Sequence, residues 1–423
     1  MSFSEMMIIN ILFFLTVFIS FTAIKCAKRK FGFLINHYFL TNLYWLTSLI
    51  VSIYFNTYLN PVSTDVYFIF FVGLWCFNST IFFLKIPQLS ICVESVSYSL
   101  RRRRILECIV LIGLIPLAYD TILKLRSGVE LWMINYEYWN ENRNAGSYLS
   151  RLYQQNIIEP LSTLLMATCF FSFYGITKKY QMIITASIGF IISLLILLVS
   201  GGGRTSIAIF GFFSILSYIA SKNIVVSHFF VKIPKSFIIT ICVASLFFIS
   251  WASTGRGSEI SLSEVLTKRL GLFAPIFEYY YSSTDVFTEY TLGLTMLENV
   301  AVLFLYPLKM LGLTDDFQRA GEIVQSFVYI PKLGIESNAG VSAFFYYMRD
   351  FGIMGVVIGP IIVANIYNLL YKYCFKSPFL MAFYFTGILN TCLSTGYPFG
   401  RGFVFMVLFA FWINSFLQLK YSK

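Results

Sequence analysis

Residues 182–200 read MIITASIGFIISLLILLVS, a run of nineteen residues without a charged side chain. An α-helix of about 20 predominantly apolar residues crosses the hydrocarbon core of a bilayer. Comparable runs recur along the whole 423-residue chain, which is 58% hydrophobic and 12% charged, whereas soluble domains average about 25% charged residues. The sequence therefore predicts an all-α polytopic integral membrane protein and excludes an ordinary soluble enzyme.

These runs predict about 11 transmembrane helices, within a range of about 10–12. The first run lacks a basic leader and a small-residue cleavage site, so we interpret it as a span rather than a signal peptide. Glu298, Pro307 and Lys309 interrupt the apolar segment Leu292–Leu311, which favours a helix that lies in or dips into the membrane interface. The predicted spans are 6–24, 33–55, 66–84, 105–121, 158–176, 182–200, 205–220, 236–252, 352–371, 378–396 and 403–419.

Positive charge is distributed unequally between the two sets of loops. One set carries 18 basic and two acidic residues, and the other carries 13 basic and 18 acidic residues. Cytoplasmic loops of membrane proteins are enriched in Lys and Arg, so the first set is predicted to be cytoplasmic. The chain 1–423 is then a single transmembrane domain with two sizeable outer loops, a first loop at 122–157 and a large, partly helical loop at 253–351.

The two faces also differ in which basic residue they use. The predicted cytoplasmic set holds 13 Lys and five Arg, whereas the outer set holds four Lys and nine Arg. A planar guanidinium is preferred where phosphate or carboxylate is bound through two hydrogen bonds. Each arginine taken singly is explained by pairing with an outer carboxylate, but the set as a whole indicates an anionic ligand at the outer face.

Histidine and cysteine are missing from the predicted outer loops. Both histidines, His37 and His228, fall on the cytoplasmic side, and all eight cysteines fall in spans or cytoplasmic segments. The outer face therefore has no imidazole for base or metal chemistry, and the cysteines form neither a CxxC motif nor a disulfide framework. We expect no metal, no other cofactor and no nucleic-acid partner.

A glycine-rich turn precedes an arginine at the outer end of one predicted span. Ser200-Gly201-Gly202-Gly203-Arg204 leaves backbone N–H groups accessible to a ligand, and Arg204 begins the next helix, where the dipole favours an anion. A tight turn explains the glycines but not an arginine at membrane depth, since such residues are costly and usually functional. Arg256 and Arg401 are also flanked by glycines, so the three arginines are predicted to converge on one diphosphate.

The first outer loop has the composition of a carbohydrate-binding surface. Residues 132–143 read WMINYEYWNENR. Flat aromatic rings can stack on sugar faces, while amides and carboxylates can bond hydroxyl groups. An aromatic belt at the membrane interface is an equally good reading of the same residues.

With these residues in view, the chain resembles the oligosaccharide repeat-unit polymerases of the Wzy O-antigen type. The resemblance covers most of the length and depends on four features: the many spans, the large late outer loop, Gly203-Arg204, and the pattern Asn338…Asp350-Phe351-Gly352-Ile353-Met354-Gly355. It implies a metal-independent, membrane-embedded glycosyltransferase of the bacterial inner membrane with its active site facing the periplasm. Its substrate would be an undecaprenyl-diphosphate-linked oligosaccharide in membrane lipid, and a chain-length regulator protein is a candidate partner.

Such a transfer needs cations at the departing diphosphate and a base at the attacking hydroxyl. Because the outer face lacks histidine, a carboxylate must serve as the base, and Asp350 is the first candidate. An ion pair with Arg349 or a helix cap is the alternative reading of Asp350. The remaining catalytic candidates are Glu259, Glu298 and Glu336, and the predicted diphosphate- and substrate-binding residues are Arg204, Arg256, Arg401, Arg319, Arg143, Gly203, Asn338 and Tyr346.

Three other functions stay open at this stage. The related O-antigen ligases carry a His before the matching Asn, where this chain has Ser337. A flippase for lipid-linked glycans would need cations buried in mid-span and visibly repeated halves. An acyltransferase would normally use an activated histidine, and the two histidines lie on the other face.

The charge asymmetry predicts which loops an impermeant reagent reaches. In a chain whose eight native cysteines are replaced by serine, a cysteine at Ser283 should react with a maleimide applied from the periplasmic side. A cysteine at Ser227 should react only after the membrane is permeabilised. The opposite labelling pattern would invert the topology.

Overall fold

The computed structural model describes six helices and two short strands. The residues described are 3–32, 35–55, 61–84, 271–283, 287, 290–293, 328–330, 335–337, 342–374 and 378–391, with single positions at 167, 213 and 216. The chain divides into two compact units, one of 1–90, 261–372 and 387–404, and another of 91–260, 373–386 and 405–423.

The described elements are helical except for one two-stranded ladder. They are α1 (Phe3–Phe31), α2 (His37–Tyr54), α3 (Thr64–Phe83), α4 (Phe273–Ser283), β1 (Val328–Ile330), β2 (Ile335–Ser337), α5 (Ala343–Cys374) and α6 (Pro378–Thr391). The strands pair antiparallel, with Val328 opposite Ser337 and Ile330 opposite Ile335.

Three of the described helices are long and apolar enough to cross a membrane. They are Phe3–Phe31, Thr64–Phe83 and Ala343–Lys372, with mean hydropathies of 2.4, 1.8 and 2.0 over their most apolar windows. For the described part of the chain, this confirms the prediction of helices that are long and apolar enough to span a membrane. The total of about 11 spans and the side on which 253–351 lies stay predictions.

Polar side chains join α1, α2 and α3 in the interior of the first unit. Asn42 and Asn78 exchange two side-chain hydrogen bonds, with donor–acceptor distances of 2.7 and 2.8 Å. Asn78 also donates to Ser20, and the Trp75 indole N–H donates to Thr16 at 2.8 Å. Hydrogen bonds between membrane helices contribute about 0.6 kcal/mol each on average. They therefore fix the rotation of each helix more than they stabilise the bundle.

Opposite charges mark the two ends of α3. At its C-terminal end the Lys30 ammonium donates to the carbonyls of Ile81 at 2.6 Å and Leu84 at 2.7 Å. At its N-terminal end Glu278 accepts hydrogen bonds from the backbone N–H and the hydroxyl of Ser63, the N-cap residue, at 2.8 and 2.6 Å. Both placements favour the helix dipole. Glu278 of α4 and Lys30 of α1 are therefore separated by the length of α3, about 30 Å for 20 residues.

Helix α5 consists of two helices joined at a sharp break. Phe351 and Gly352 leave helical geometry, with φ of −138° and 61°, so that a short helix, 343–350, precedes the span that begins at 353. A φ of 61° lies in the left-handed region, which glycine adopts at little cost. The predicted span 352–371 thus begins at the break, and the residues just before it, within the predicted partly helical loop, form a helix.

Three glycines make room for the short helix 343–350. A Cβ on Gly355 would collide with the backbone carbonyl of Tyr347, and a Cβ on Gly359 would collide with the Tyr347 ring. On the other side a Cβ on Gly73 of α3 would collide with the ring of Phe344. We call the space bounded by Gly73, Gly355 and Gly359 the glycine slot. Small residues four apart allow this close approach between membrane helices.

The second unit includes the first nine residues of α6. Residues 381–386 of this helix are all buried, with Met381 1% exposed and Tyr384 and Phe385 fully buried. The rings of Tyr384 and Phe385 meet edge to face with centroids 4.9 Å apart. Every face of this stretch is therefore covered by other parts of the chain.

The glycine slot predicts that Gly355 tolerates no side chain. In Gly355→Ala the new methyl group meets a backbone carbonyl, which cannot rotate away as a side chain can. We expect a loss of about 3 kcal/mol of stability, the upper part of the range for overpacking. The measurement is thermal unfolding of the purified protein in detergent.

Met354→Ala is the matched control because Met354 neighbours Gly355 but is 58% exposed. Its unfolding temperature should stay close to that of the native protein. Equal unfolding temperatures for the native protein and Gly355→Ala would contradict the slot.

Candidate functional site

The break in α5 is covered by a turn at residues 290–293. The backbone N–H groups of Thr291 and Leu292 donate to the carbonyls of Arg349 and Asp350, at 3.3 and 3.1 Å. Those carbonyls end the short helix 343–350 and have lost their partners within it. The turn therefore serves as the C-terminal cap of the short helix.

Side chains reinforce this backbone pairing from both directions. The Thr291 hydroxyl donates a hydrogen bond to the Asp350 carboxylate Oδ1. The Tyr290 ring lies over Gly352, 3.0 Å from the position a Cβ would take, and the Phe351 ring lies over Gly293 at 3.1 Å. Each of the two segments thus places one aromatic ring against a glycine of the other. We call these eight residues, 290–293 and 349–352, the clasp.

Two residues of the turn have left-handed backbone conformations. Leu292 has φ of 51° and Gly293 has φ of 93°. A left-handed conformation is ordinary for glycine but costs a residue such as leucine about 1–2 kcal/mol. The Leu292 side chain is 77% exposed, so packing of that side chain does not offset the cost. The hydrogen bonds of the clasp are the interactions that hold Leu292 in place.

The clasp has a buried polar side and an exposed apolar side. Asp350 is fully buried and Arg349 is 6% exposed, whereas Tyr290 is 55% and Phe351 44% exposed. Asp350 is therefore shielded from solvent in this conformation, and the turn is one of the segments that contact it. A substrate hydroxyl reaches a fully buried carboxylate only after the segments around it move.

Aromatic rings connect the short helix 343–350 to α2, α3 and α4. Phe345 of the short helix packs against Phe287 and Phe277, with centroids 5.0 and 6.0 Å apart. Phe277 in turn lies 5.7 Å from Phe70 of α3. On the adjoining face Phe344 contacts Trp45 at 5.0 Å. The short helix that leads into the clasp therefore packs on a cluster of aromatic rings, each pair contributing about 0.5–1.5 kcal/mol beyond its buried area.

Three of the twelve candidate residues from the sequence lie in the described part of the chain. Tyr346 is buried, at 4% exposure, and its ring meets that of Phe345 edge to face at 5.7 Å. Glu336 lies in β2 opposite Tyr329. Asp350 lies in the clasp. The other candidates, Glu259, Glu298, Arg204, Arg256, Arg401, Arg319, Arg143, Gly203 and Asn338, lie outside the described residues.

A second polar cluster lies near the start of α2. The His37 ring nitrogen Nε2 is 3.1 Å from the Asn368 side-chain oxygen, and Tyr38 and Asn368 are linked by hydrogen bonds of 3.2 and 3.0 Å. The Tyr38 hydroxyl also meets that of Thr80 at 2.6 Å. These side chains are buried, with His37 fully enclosed. They attach the C-terminal part of α5 to α2 and α3.

The sequence identifies Asp350 and the glycines around it, but it does not identify the residues that contact them. Thr291 lies 59 residues before Asp350, between Tyr290 and Leu292, and nothing local distinguishes it from any interfacial threonine. A turn signal was present in Leu292-Gly293, since glycine commonly supplies positive φ.

Comparisons of the chain with protein-family models, with curated proteins and with solved structures found no match.

Proposed function

We propose that the protein polymerises undecaprenyl-diphosphate-linked oligosaccharide repeat units at the outer face of the bacterial inner membrane. The observation that carries the proposal is the pattern Asp350-Phe351-Gly352-Ile353-Met354-Gly355. Gly352 and Gly355 of this pattern have distinct structural tasks, one permitting the break in α5 and the other admitting Tyr347. The residues behind the family resemblance therefore build one specific structure, a membrane helix that reverses at the edge of the predicted outer segment.

The arginine distribution supports an anionic lipid-linked substrate. Nine of the 14 arginines fall in the predicted outer segments, where four of the 17 lysines fall. Arg204, Arg256 and Arg401, each beside a glycine, are the groups proposed to bind the diphosphate. Guanidinium groups fixed in advance stabilise charge on the leaving oxygens with little reorganisation.

The proposed reaction exchanges one glycosidic bond for another. The bond between the growing glycan's anomeric carbon and its diphosphate breaks, and undecaprenyl diphosphate leaves with the bonding electrons. A hydroxyl of the incoming lipid-linked unit forms the new bond and gives its proton to a carboxylate. Glu259, Glu298 and Glu336 are the candidates for that base, because Asp350, the first choice from the sequence, is fully buried.

A deletion strain tests the function through its surface glycan. Loss of a polymerase should leave lipid core bearing one repeat unit, visible as a single band in place of the ladder on a glycan-stained gel. Reintroducing the native gene should restore the ladder. If the deletion strain carries no repeat unit at all, the protein acts before or at attachment, as a flippase or ligase does, and the proposal is wrong.

Arg204→Lys tests whether a guanidinium binds the diphosphate. Lysine keeps the charge but loses the paired hydrogen bonds, and losing one preorganised charge stabiliser typically slows a reaction by about 10²–10³. We expect the ladder to collapse toward single repeats while the protein still accumulates in the membrane. The quantity measured is ladder length at matched protein level.

The matched control is Lys222→Arg in a predicted cytoplasmic loop, which should leave the ladder unchanged. A normal ladder from Arg204→Lys would instead favour ion pairing with an outer carboxylate as the role of Arg204.

A further inference from the structure

Asp350 lies where a carboxylate is electrostatically unfavourable. It ends the short helix 343–350, and the carbonyl end of a helix repels negative charge. It is also fully buried, and burying a carboxylate is costly unless hydrogen bonds compensate. The Thr291 hydroxyl supplies one such bond. The chain thus tolerates a costly group at this position, and one of the group's contacts is with the turn 290–293.

A general base would need a different setting. A base must come within about 2.6–3.2 Å of the hydroxyl that it deprotonates, directly or through one water. In the clasp Oδ1 of Asp350 accepts the Thr291 hydroxyl, while the backbone carbonyl of the same residue accepts Leu292 N–H at 3.1 Å. The side chain and main chain of Asp350 therefore both bind the turn.

We propose that Thr291 and Asp350 form a positioning pair, whose hydrogen bond fixes the turn 290–293 on the break in α5 and holds the short helix 343–350 in its glycine slot. Asp350 then does not touch the reacting atoms. The bond acts together with the two backbone hydrogen bonds of the clasp and with the rings of Tyr290 and Phe351. Its effect on polymerisation, which rests on the function proposed above, is exerted through geometry.

Substitutions at the two positions separate a positioning role from a catalytic one. Asp350→Asn keeps an oxygen that accepts the Thr291 hydroxyl, and Thr291→Ser keeps the hydroxyl. Both variants should retain polymerisation within about threefold, whereas Asp350→Ala and Thr291→Val should lose about 100-fold, as expected when a reacting group is displaced by about 1 Å. The measurement is repeat-unit incorporation per enzyme by the purified full-length protein, from a lipid-linked repeat unit.

A catalytic role gives the reverse pattern. If Asp350 is the base, Asp350→Asn should lose about 10²–10⁴ in rate and the pH dependence of the residual activity should change. Thr291→Val should then be nearly as active as the native protein. That result would overturn the positioning pair and leave the polymerase function intact. Full activity in all four variants would overturn it as well.

The packing of the short helix provides a readout that does not depend on activity. Ser342 immediately precedes the helix and is 1% exposed. In a chain without its native cysteines, Ser342→Cys should be protected from a water-soluble maleimide. Adding Thr291→Val or Asp350→Ala should speed labelling by about tenfold through local opening, whereas adding Asp350→Asn or Thr291→Ser should not. Equal labelling rates in all five backgrounds would contradict the proposal.

A control variant and two alternative readouts keep the outcomes distinct. Thr22→Val removes a threonine hydroxyl that bonds the Phe18 carbonyl at 2.8 Å within α1, so it is a matched control expected to change neither readout. If Asp350→Ala fails to accumulate, Asp350→Asn alone decides between the two roles, because an amide cannot serve as a base. If the deletion strain shows that the protein is not a polymerase, the labelling experiment still tests whether Thr291 and Asp350 form a positioning pair.

Discussion

A helix that breaks inside a membrane protein must find new partners for the backbone groups that it releases, because lipid offers none. In this protein the break lies at Phe351 and Gly352, and the released carbonyls of Arg349 and Asp350 are bonded by the turn at 290–293. The sharp reversal then brings Tyr347 against Gly355 and Gly359. The glycine slot and the clasp therefore act on the same short helix. The slot sets its path, and the clasp caps its C-terminal end.

The same constraint explains why the polar side chains of the first unit are linked to one another. Asn42 and Asn78 satisfy each other's amides, and His37, Tyr38, Thr80 and Asn368 form a second group. The two groups are connected through Tyr38, whose carbonyl accepts a hydrogen bond from Asn42 at 2.8 Å. A chain of polar contacts therefore runs from α1 through α2 and α3 to the far end of α5. This chain gives each helix one preferred rotation, which apolar packing alone specifies less strictly.

Part of this fold could be predicted from the sequence because it depends on local signals. The length of the apolar runs predicts α1 and α3. The predicted start of a span at 352 coincides with the break, because Gly352 is followed by a long apolar run. The sequence assigns 343–350 to the large outer loop, which it predicts to be partly helical. Its packing partners include Gly73 and Trp45, residues far away in the chain that no local pattern connects to it.

The candidate site, like the fold, depends both on local sequence and on contacts between residues that are distant in the chain. The local sequence predicts Asp350 and Tyr346 as site residues, and the structure describes both as buried. Whether a carboxylate is covered or exposed depends on Thr291 and its neighbours, which approach only through the tertiary fold. The arginine hypothesis had a different origin, the contrast between Arg and Lys on the two faces, and it stays a prediction.

Lys30 connects the orientation of the chain in the membrane with the packing of its helices. It is one of the charges counted for the predicted cytoplasmic side, yet its ammonium group is bonded to carbonyls of Ile81, Phe82 and Leu84. During synthesis those carbonyls emerge after Lys30, so the charge is available for orienting α1 before α3 exists. Once α3 arrives, the same charge holds the two helix ends together. Under the predicted orientation, one residue thus serves insertion first and folding later, in an order set by its place in the chain.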